Sequence, residues 1–240
     1  GECGHSPLQP GVLCDDGLVH VSRDAGKSWT NVTKNIPDLP EWGTVACIEA
    51  SRFDAAIAYV VVDAHRLDND RPYLWKTKDF GNSWMKLSDK LPQDDYLRVV
   101  REDPLVPGML YVGSEHGVSY ARDELTWEKL KLNLPTCAVS DLVVKDNDLV
   151  VGTNGRSIWI LDDLTPLRQW SPKLAQGTHL FPTAPAIRWR YHGENYAGED
   201  RLPGDNPPKG AVIQYHLDRK PKEEITLEIH DAKGGLVQTY

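Results

Sequence analysis

Short runs in which apolar and polar residues alternate, separated by Gly, Pro, Asn and Asp clusters, dominate the chain and predict β-strands rather than helices. Strands are expected near Val45–Ala50, Ala58–Asp63, Tyr73–Thr77 and Trp84–Leu87. A second set is expected near Leu97–Arg101, Met109–Gly113, Val118–Ala121 and Trp127–Leu130. A third comprises Asp141–Val144, Asp148–Gly152 and Ser157–Leu161, with Asn154-Gly155 between the last two reading as a type I′ hairpin turn. The longest apolar run, Ala55 to Val62, falls well below the ~20 residues of a membrane span. No segment has the periodicity of a long amphipathic helix.

Self-similarity organises these strands. Ser22-Arg23-Asp24-Ala25-Gly26-Lys27-Ser28-Trp29 recurs as Thr77-Lys78-Asp79-Phe80-Gly81-Asn82-Ser83-Trp84, and a worn copy without the glycine follows at Ala121–Trp127. The copies are offset by about 55 and then about 44 residues, close to the ~40–50 residues of a propeller blade holding several short strands. The octad has a mechanical reading. Asp24 and Asp79 accept hydrogen bonds from backbone N–H groups and from the Ser/Thr hydroxyls, among them Ser22 and Thr77. Gly26 and Gly81 supply a positive φ at the crest, and Trp29 and Trp84 open the next strand and cover the hairpin. These aspartates are therefore expected to be scaffold. The octad should form the turn between a blade's third and fourth strands.

The octads resemble Asp boxes, also called BNR repeats, of sialidase-like and sortilin-like β-propellers. With the stretches Asp15–Asp24 (DDGLVHVSRD), Val99–Pro104 (VVREDP) and Asp148–Asp163 (DLVVGTNGRSIWILDD), residues 6–190 are similar to large bacterial proteins of glycosyl-hydrolase-like or sortilin-like type. The resemblance implies an all-β fold, a partial propeller of Asp-box blades followed by the start of an immunoglobulin-like β-sandwich. The first unit, Gly11–Thr33, contains only later strands and lacks an inner one. Residues 1–190 are accordingly expected to be the C-terminal part of a longer propeller, its ring completed by the rest of the same chain or by a second chain. His179 to Arg188 reads as a closing strand and 191–209 as a linker or loop. Residues 210–240 read as the first sandwich strands (Gly210–Leu217, Glu224–His230, Leu236–Tyr240), with Ala232–Gly235 as a turn.

In sialidase-like propellers the ligand occupies the rim opposite the boxes. Strand alternation assigns that rim Glu41, Trp42, Asp94, Asp95 and Tyr96 from loops between blades. Loops between second and third strands add Asp15, Asp16, His65, Arg66, Asp68, Asp70, Arg71, Glu115, His116, Asn154 and Arg156. Trp42, His65, Arg66, Tyr96, His116, Asn154 and Arg156 are the expected ligand contacts, since rings stack on sugars or peptides and polar groups fix their orientation. Asp94, Asp95 and Glu115 are the candidate acid and base of a glycoside hydrolase, which needs two carboxylates about 5–9.5 Å apart. The arginine triad of sialidases does not map onto Arg66, Arg98, Arg101 and Arg156. The leading expectation is a non-catalytic binding or assembly module for protein or glycan, and the alternative is a hydrolase of sialidase or xyloglucanase type.

Composition narrows this little. Net charge is −8 over 240 residues, which argues against a sequence-independent nucleic-acid binder. Eight Trp and nine Tyr against three Phe suit a β-rich core. Four cysteines are too few for a disulfide scaffold. Cys47 and Cys137 read as buried thiols, and Cys3 and Cys14 as a possible bridge. Cys3, His5 and Cys14 lack the second Cys pair of a zinc site, so neither metal nor cofactor is expected. Asn31-Val32-Thr33 is a glycosylation sequon. The resemblance implies an extracellular or periplasmic setting.

Overall fold

The computed structural model describes residues 11–13, 17–171, 173–186 and 210–240. Contacts divide the chain into two compact units, Gly1–Leu164 and Thr165–Tyr240. The division falls between Leu164 and Thr165, earlier than the sequence places it, and the expected 191–209 linker lies outside the described residues.

The first unit is four antiparallel sheets in chain order. Sheet one contains β1 (Gly11–Leu13), β2 (Val19–Val21) and β3 (Thr30–Asn31). Sheet two contains β4 (Thr44–Ala50), β5 (Ala58–Asp63), β6 (Tyr73–Thr77) and β7 (Met85–Lys86). Sheet three contains β8 (Leu97–Glu102), β9 (Leu110–Ser114), β10 (Gly117–Ala121) and β11 (Trp127–Lys129). Sheet four contains β12 (Val139–Lys145), β13 (Asp148–Thr153) and β14 (Ile158–Leu161). Within each sheet, strands pair with their sequence neighbours, and β4 contacts β8 as β8 contacts β12. Successive up-and-down sheets meeting along their first strands are the architecture of consecutive propeller blades.

Burial explains why β5 reads as a continuous apolar run. Tyr59, Val60, Val61 and Val62 are all fully buried because both faces of sheet two are covered. On one side Val60, Val62, Tyr73 and Trp75 pack with Val19 and Val32 of sheet one. On the other, the Tyr59 hydroxyl lies 3.0 Å from Glu102 and 3.2 Å from Glu124 of sheet three, and buried Lys76 forms an ion pair with Glu124. Arg101 ties the first strands of three sheets together. Its guanidinium donates to the Leu142 carbonyl (2.9 Å) and Asp141 (2.7 Å), and lies 3.1 Å from Cys47 Sγ and 3.5 Å from Glu49. Cys47 and Cys137 are buried thiols outside any disulfide. Cys3 and Cys14 lie outside the described residues, as does His5.

Each octad closes the turn before the last strand of its sheet, between β2 and β3 in sheet one and between β6 and β7 in sheet two. Ser28 N and Oγ donate to the two oxygens of Asp24 at 2.8 and 2.6 Å, Ser22 Oγ donates to Asp24 at 2.9 Å, and Gly26 N donates to Ser22. Ser83, Thr77 and Gly81 repeat this arrangement around Asp79. In the worn copy Thr126 N and Oγ1 donate to Asp123. The residue before each glycine is also left-handed: Ala25 and Phe80 have φ of 57° and 58°, beside Gly26 at 86° and Gly81 at 82°. Glu124 takes that place in the worn copy with φ 66°. Trp84 Nε1 donates to the Gly81 carbonyl (3.2 Å), whereas Trp29 is substantially exposed.

Two local expectations are corrected. The β13–β14 connection is not a two-residue I′ turn, because Gly152 pairs with Ile158 and the positive φ values fall on Gly155 and Ser157 rather than on consecutive residues. Nor is the closing strand expected at His179–Arg188 found in its described part, residues 179–186. β15 (His179–Leu180) pairs with β16 (Tyr215–His216) inside the second unit. Pairing with residues far downstream overrode its proximity to the blades. That unit also holds helix α1 (Thr165–Gln169) and a hairpin of β17 (Glu228–His230) and β18 (Leu236–Thr239). The hairpin turns at Asp231–Gly235 with Gly234 at φ 83°.

Candidate functional site

The rim opposite the octads is built by three features of sheets two and three. The first is a β-bulge in each first strand: Ala46 in β4, Arg98 in β8 and Ser140 in β12 are the extra residues, where pairing steps from Val45 to Cys47, Leu97 to Val99 and Val139 to Asp141. A bulge re-aims the side chain it carries, and in sheet three that side chain is a guanidinium. The second is the tight β9–β10 hairpin, in which Ser114 pairs with Gly117 and only Glu115 and His116 make the turn. The third is the loop after β5, ordered as a 3-10 turn at His65–Leu67 that ends on Asp68 at φ 55°.

These features bring one cluster together. The His65 ring stacks on Tyr96, centroids 4.5 Å apart and planes 16° from parallel. His65 Nδ1 lies 2.7 Å from both carboxylate oxygens of Asp63, which also accepts from the His65 backbone N–H. Tyr96 donates its hydroxyl to Glu115 (2.8 Å), and Arg98 Nη2 donates to the same Glu115 oxygen (2.7 Å) and to the Tyr96 hydroxyl (2.8 Å). Burial works to raise the Glu115 carboxyl, but the hydrogen bonds from Tyr96 and Arg98 prevail and hold it below its usual range. Burial and the bond to Glu115 push the Tyr96 phenol up. Arg98 Nε is buried without a hydrogen-bond partner, so one donor edge of this guanidinium is unsatisfied.

Asp95 forms a neighbouring group. It is buried, accepts from Ser114 Oγ (2.8 Å) and the His116 backbone N–H (3.1 Å), and lies 3.0 Å from His116 Nδ1. Asp94 is exposed beside it. Of the residues expected from sequence, His65, Tyr96 and Glu115 thus meet directly, with Asp95 and His116 adjoining through the same hairpin. Trp42 stands on the loop between sheets one and two, 82% exposed and held at φ 64°. Arg66 is exposed on the 3-10 turn. Asn154 and Arg156 occupy the β13–β14 loop of sheet four, where Asn154 N donates to the Ala138 carbonyl. Asp15 and Asp16 lie outside the described residues. Arg98 and Asp63 complete the cluster although the rim assignment omitted them. The sequence carries no signal of the bulge that turns Arg98 onto the rim.

On the octad side, sheets one and two enclose a cleft of about 50 Å³ lined by Val19, Val21, Ile48, Ala56, Phe80 and Trp84. It has room for a few waters, not for a sugar ring. Among the described residues no three His, Cys, Asp or Glu side chains are grouped to hold a metal ion, and no helix is long and apolar enough to cross a membrane.

No family model matches the chain, and no curated protein does. Among solved structures it is similar to YCF48 bound to a D1 peptide, with 16% identity, a TM-score of 0.44, and coverage of 61% of this chain and 45% of that one. It is also similar to YCF48 from Cyanidioschyzon merolae, with 15% identity, a TM-score of 0.45, and coverage of 65% and 50%. A third likeness is to the GH74 enzyme of Niastella koreensis, with 14% identity, a TM-score of 0.49, and coverage of 66% and 27%. The chain thus spans half or less of the length of these structures. At such values the likenesses carry nothing about activity, and the blade architecture rests on the sheets themselves.

Proposed function

We propose that the first unit is a non-catalytic binding module that engages a protein or glycan on the rim opposite the octads. The observation that carries this reading is the cluster of His65, Tyr96, Arg98 and Glu115, assembled from two sheets. It offers a stacked ring pair, a carboxylate acceptor and a guanidinium, while Trp42 adds an exposed ring on the loop between sheets one and two. Aromatic faces and a few oriented polar groups are what both peptide and sugar sites require.

The same geometry argues against glycoside hydrolysis. A hydrolase needs one carboxyl protonated at working pH to donate to the leaving group. Tyr96 and Arg98 instead hold the Glu115 carboxyl below its usual range, and Asp95 is committed to Ser114 and His116. The test uses arrays of peptides and of plant and sialylated oligosaccharides, followed by hydrolysis assays on xyloglucan and sialyllactose. Binding that falls at least tenfold in Arg98→Ala and Trp42→Ala, with no product released, is the expected result. Turnover that disappears in Glu115→Gln would replace the binding reading with the hydrolase one.

A further inference from the structure

Among the described residues, six buried side-chain nitrogen or oxygen atoms have no hydrogen-bond partner, and two of them belong to one strand pair of the second unit. They are Nε2 of His179 and Nε2 of His216, and these residues stand directly opposite each other on the β15–β16 ladder. Directly opposed residues of an antiparallel pair project from the same face, with Cβ atoms about 4.5–5.5 Å apart. Each ring also packs near-perpendicular to an aromatic neighbour, His216 to Trp170 and His179 to Phe181, with centroids 4.8 Å apart in both cases. A ring nitrogen buried without a partner is costly, and here the cost falls twice at one place.

The ladder that carries the two histidines has little else to hold it. β15 and β16 are two residues each, and a bond from Phe181 N to the Gln214 carbonyl (3.0 Å) extends them by one step. Their partners are far apart in the chain, Leu180 opposite Tyr215. On the other face Leu180 is 57% exposed and Tyr215 50%, so little apolar area secures the pair there. Two-stranded pieces are marginal by themselves, and a metal clip gains most where it closes a long loop.

We propose that His179 and His216 bind one divalent transition-metal ion of the zinc type through their Nε2 atoms, clipping β15 to β16. Imidazole nitrogen suits zinc, nickel and copper, and zinc takes it at about 2.0–2.1 Å, a reach that lets two rings on opposed residues share an ion. Calcium and magnesium take oxygen ligands and do not fit this donor pair. Among the described residues no third His, Cys, Asp or Glu completes a group with them. Water therefore fills the other positions, and the ion is exchangeable, unlike the closed four-ligand centre of a structural zinc site. The inference is independent of the rim site.

Calorimetric titration of the intact chain with zinc chloride, in a background with Cys3 and Cys14 changed to serine, tests it. One ion per chain is expected. His179→Gln and His216→Gln should each weaken binding at least about tenfold, the scale on which even outer-shell losses act, with circular dichroism unchanged. The double substitution should add little, because one missing imidazole already opens the clip. Without any substitution at these positions, long-range proton–nitrogen spectra of the histidines should show both Nε2 resonances moving together as one equivalent of zinc is added. A chain that binds no zinc at micromolar concentration overturns the proposal. Binding that survives both single substitutions, losses that simply add, or Nε2 resonances that stay in place overturn the shared site.

Discussion

On the octad rim, Asp24, Asp79 and Asp123 bond to hydroxyl and amide groups no more than four residues away. On the opposite rim, Glu115 and Asp95 reach partners 17 to 21 residues distant, on other strands. Local bonding makes each octad a self-sufficient turn whose carboxylate is already satisfied: the Ser28 and Ser83 hydroxyls and amides hold Asp24 and Asp79 below the usual carboxylate range. Long-range bonding makes the other rim depend on how the sheets are assembled. It leaves groups such as the buried Arg98 Nε without a hydrogen-bond partner. Carboxylates of the first kind serve their own turn, and the two of the second kind on this rim carry the proposed site.

Two glycines with the same backbone sharpen this contrast. Gly81 on the octad rim and Gly155 on the opposite rim both have φ 82°. A Cβ on Gly81 would meet Val32 of sheet one at 2.8 Å, while one on Gly155 meets nothing within 4 Å. Gly155→Ala should cost about 1 kcal/mol, the backbone strain alone. Gly81→Ala should cost about 2–4 kcal/mol, because overlap with a β-branched side chain adds to the strain. Urea unfolding of both variants measures the difference. Equal losses would mean that the octad turn is not fixed against the neighbouring sheet.

Glu49 extends the long-range class into the hub of the sheets. Burial pushes its carboxyl from the ordinary 4.5 up to about 7, although Arg101 pulls the other way. The folded protein therefore holds more protons than the unfolded chain between those values. The stabilisation is complete below pH 4.5 and is lost as pH rises through about 7, by up to about 3 kcal/mol. Glu49→Gln should flatten that part of the stability–pH curve. A slope unchanged by the substitution would place the titrating group elsewhere.

The same division decides what could be read from the chain. The octads, the strands around them and the scaffold role of Asp24 and Asp79 were legible because each depends on spacing within a few residues. The rim was legible as a side of the fold but not as a cluster. Strand alternation names the loops, but it does not show the extra residue at position 98 that carries Arg98 onto the rim. The His65–Tyr96 stack joins two loops with no sequence signal linking them. His179 failed for a related reason, since its strand partner is His216 and nothing near His179 indicates that.

The smallest effect concerns the rim itself. Tyr96→Phe keeps the ring on His65 but removes the hydroxyl that donates to Glu115 and accepts from Arg98. Arg98 still bonds to Glu115 directly, and both groups are partly exposed, so the loss in stability should be about 1 kcal/mol or less. With one of its two donors gone, the Glu115 carboxyl should rise toward its usual range, measurable by NMR titration of its side-chain carbon. An upward shift accompanied by intact folding is expected if Tyr96 tunes a site. An unchanged Glu115 together with a large stability loss would mean that this rim, like the octad rim, is scaffold.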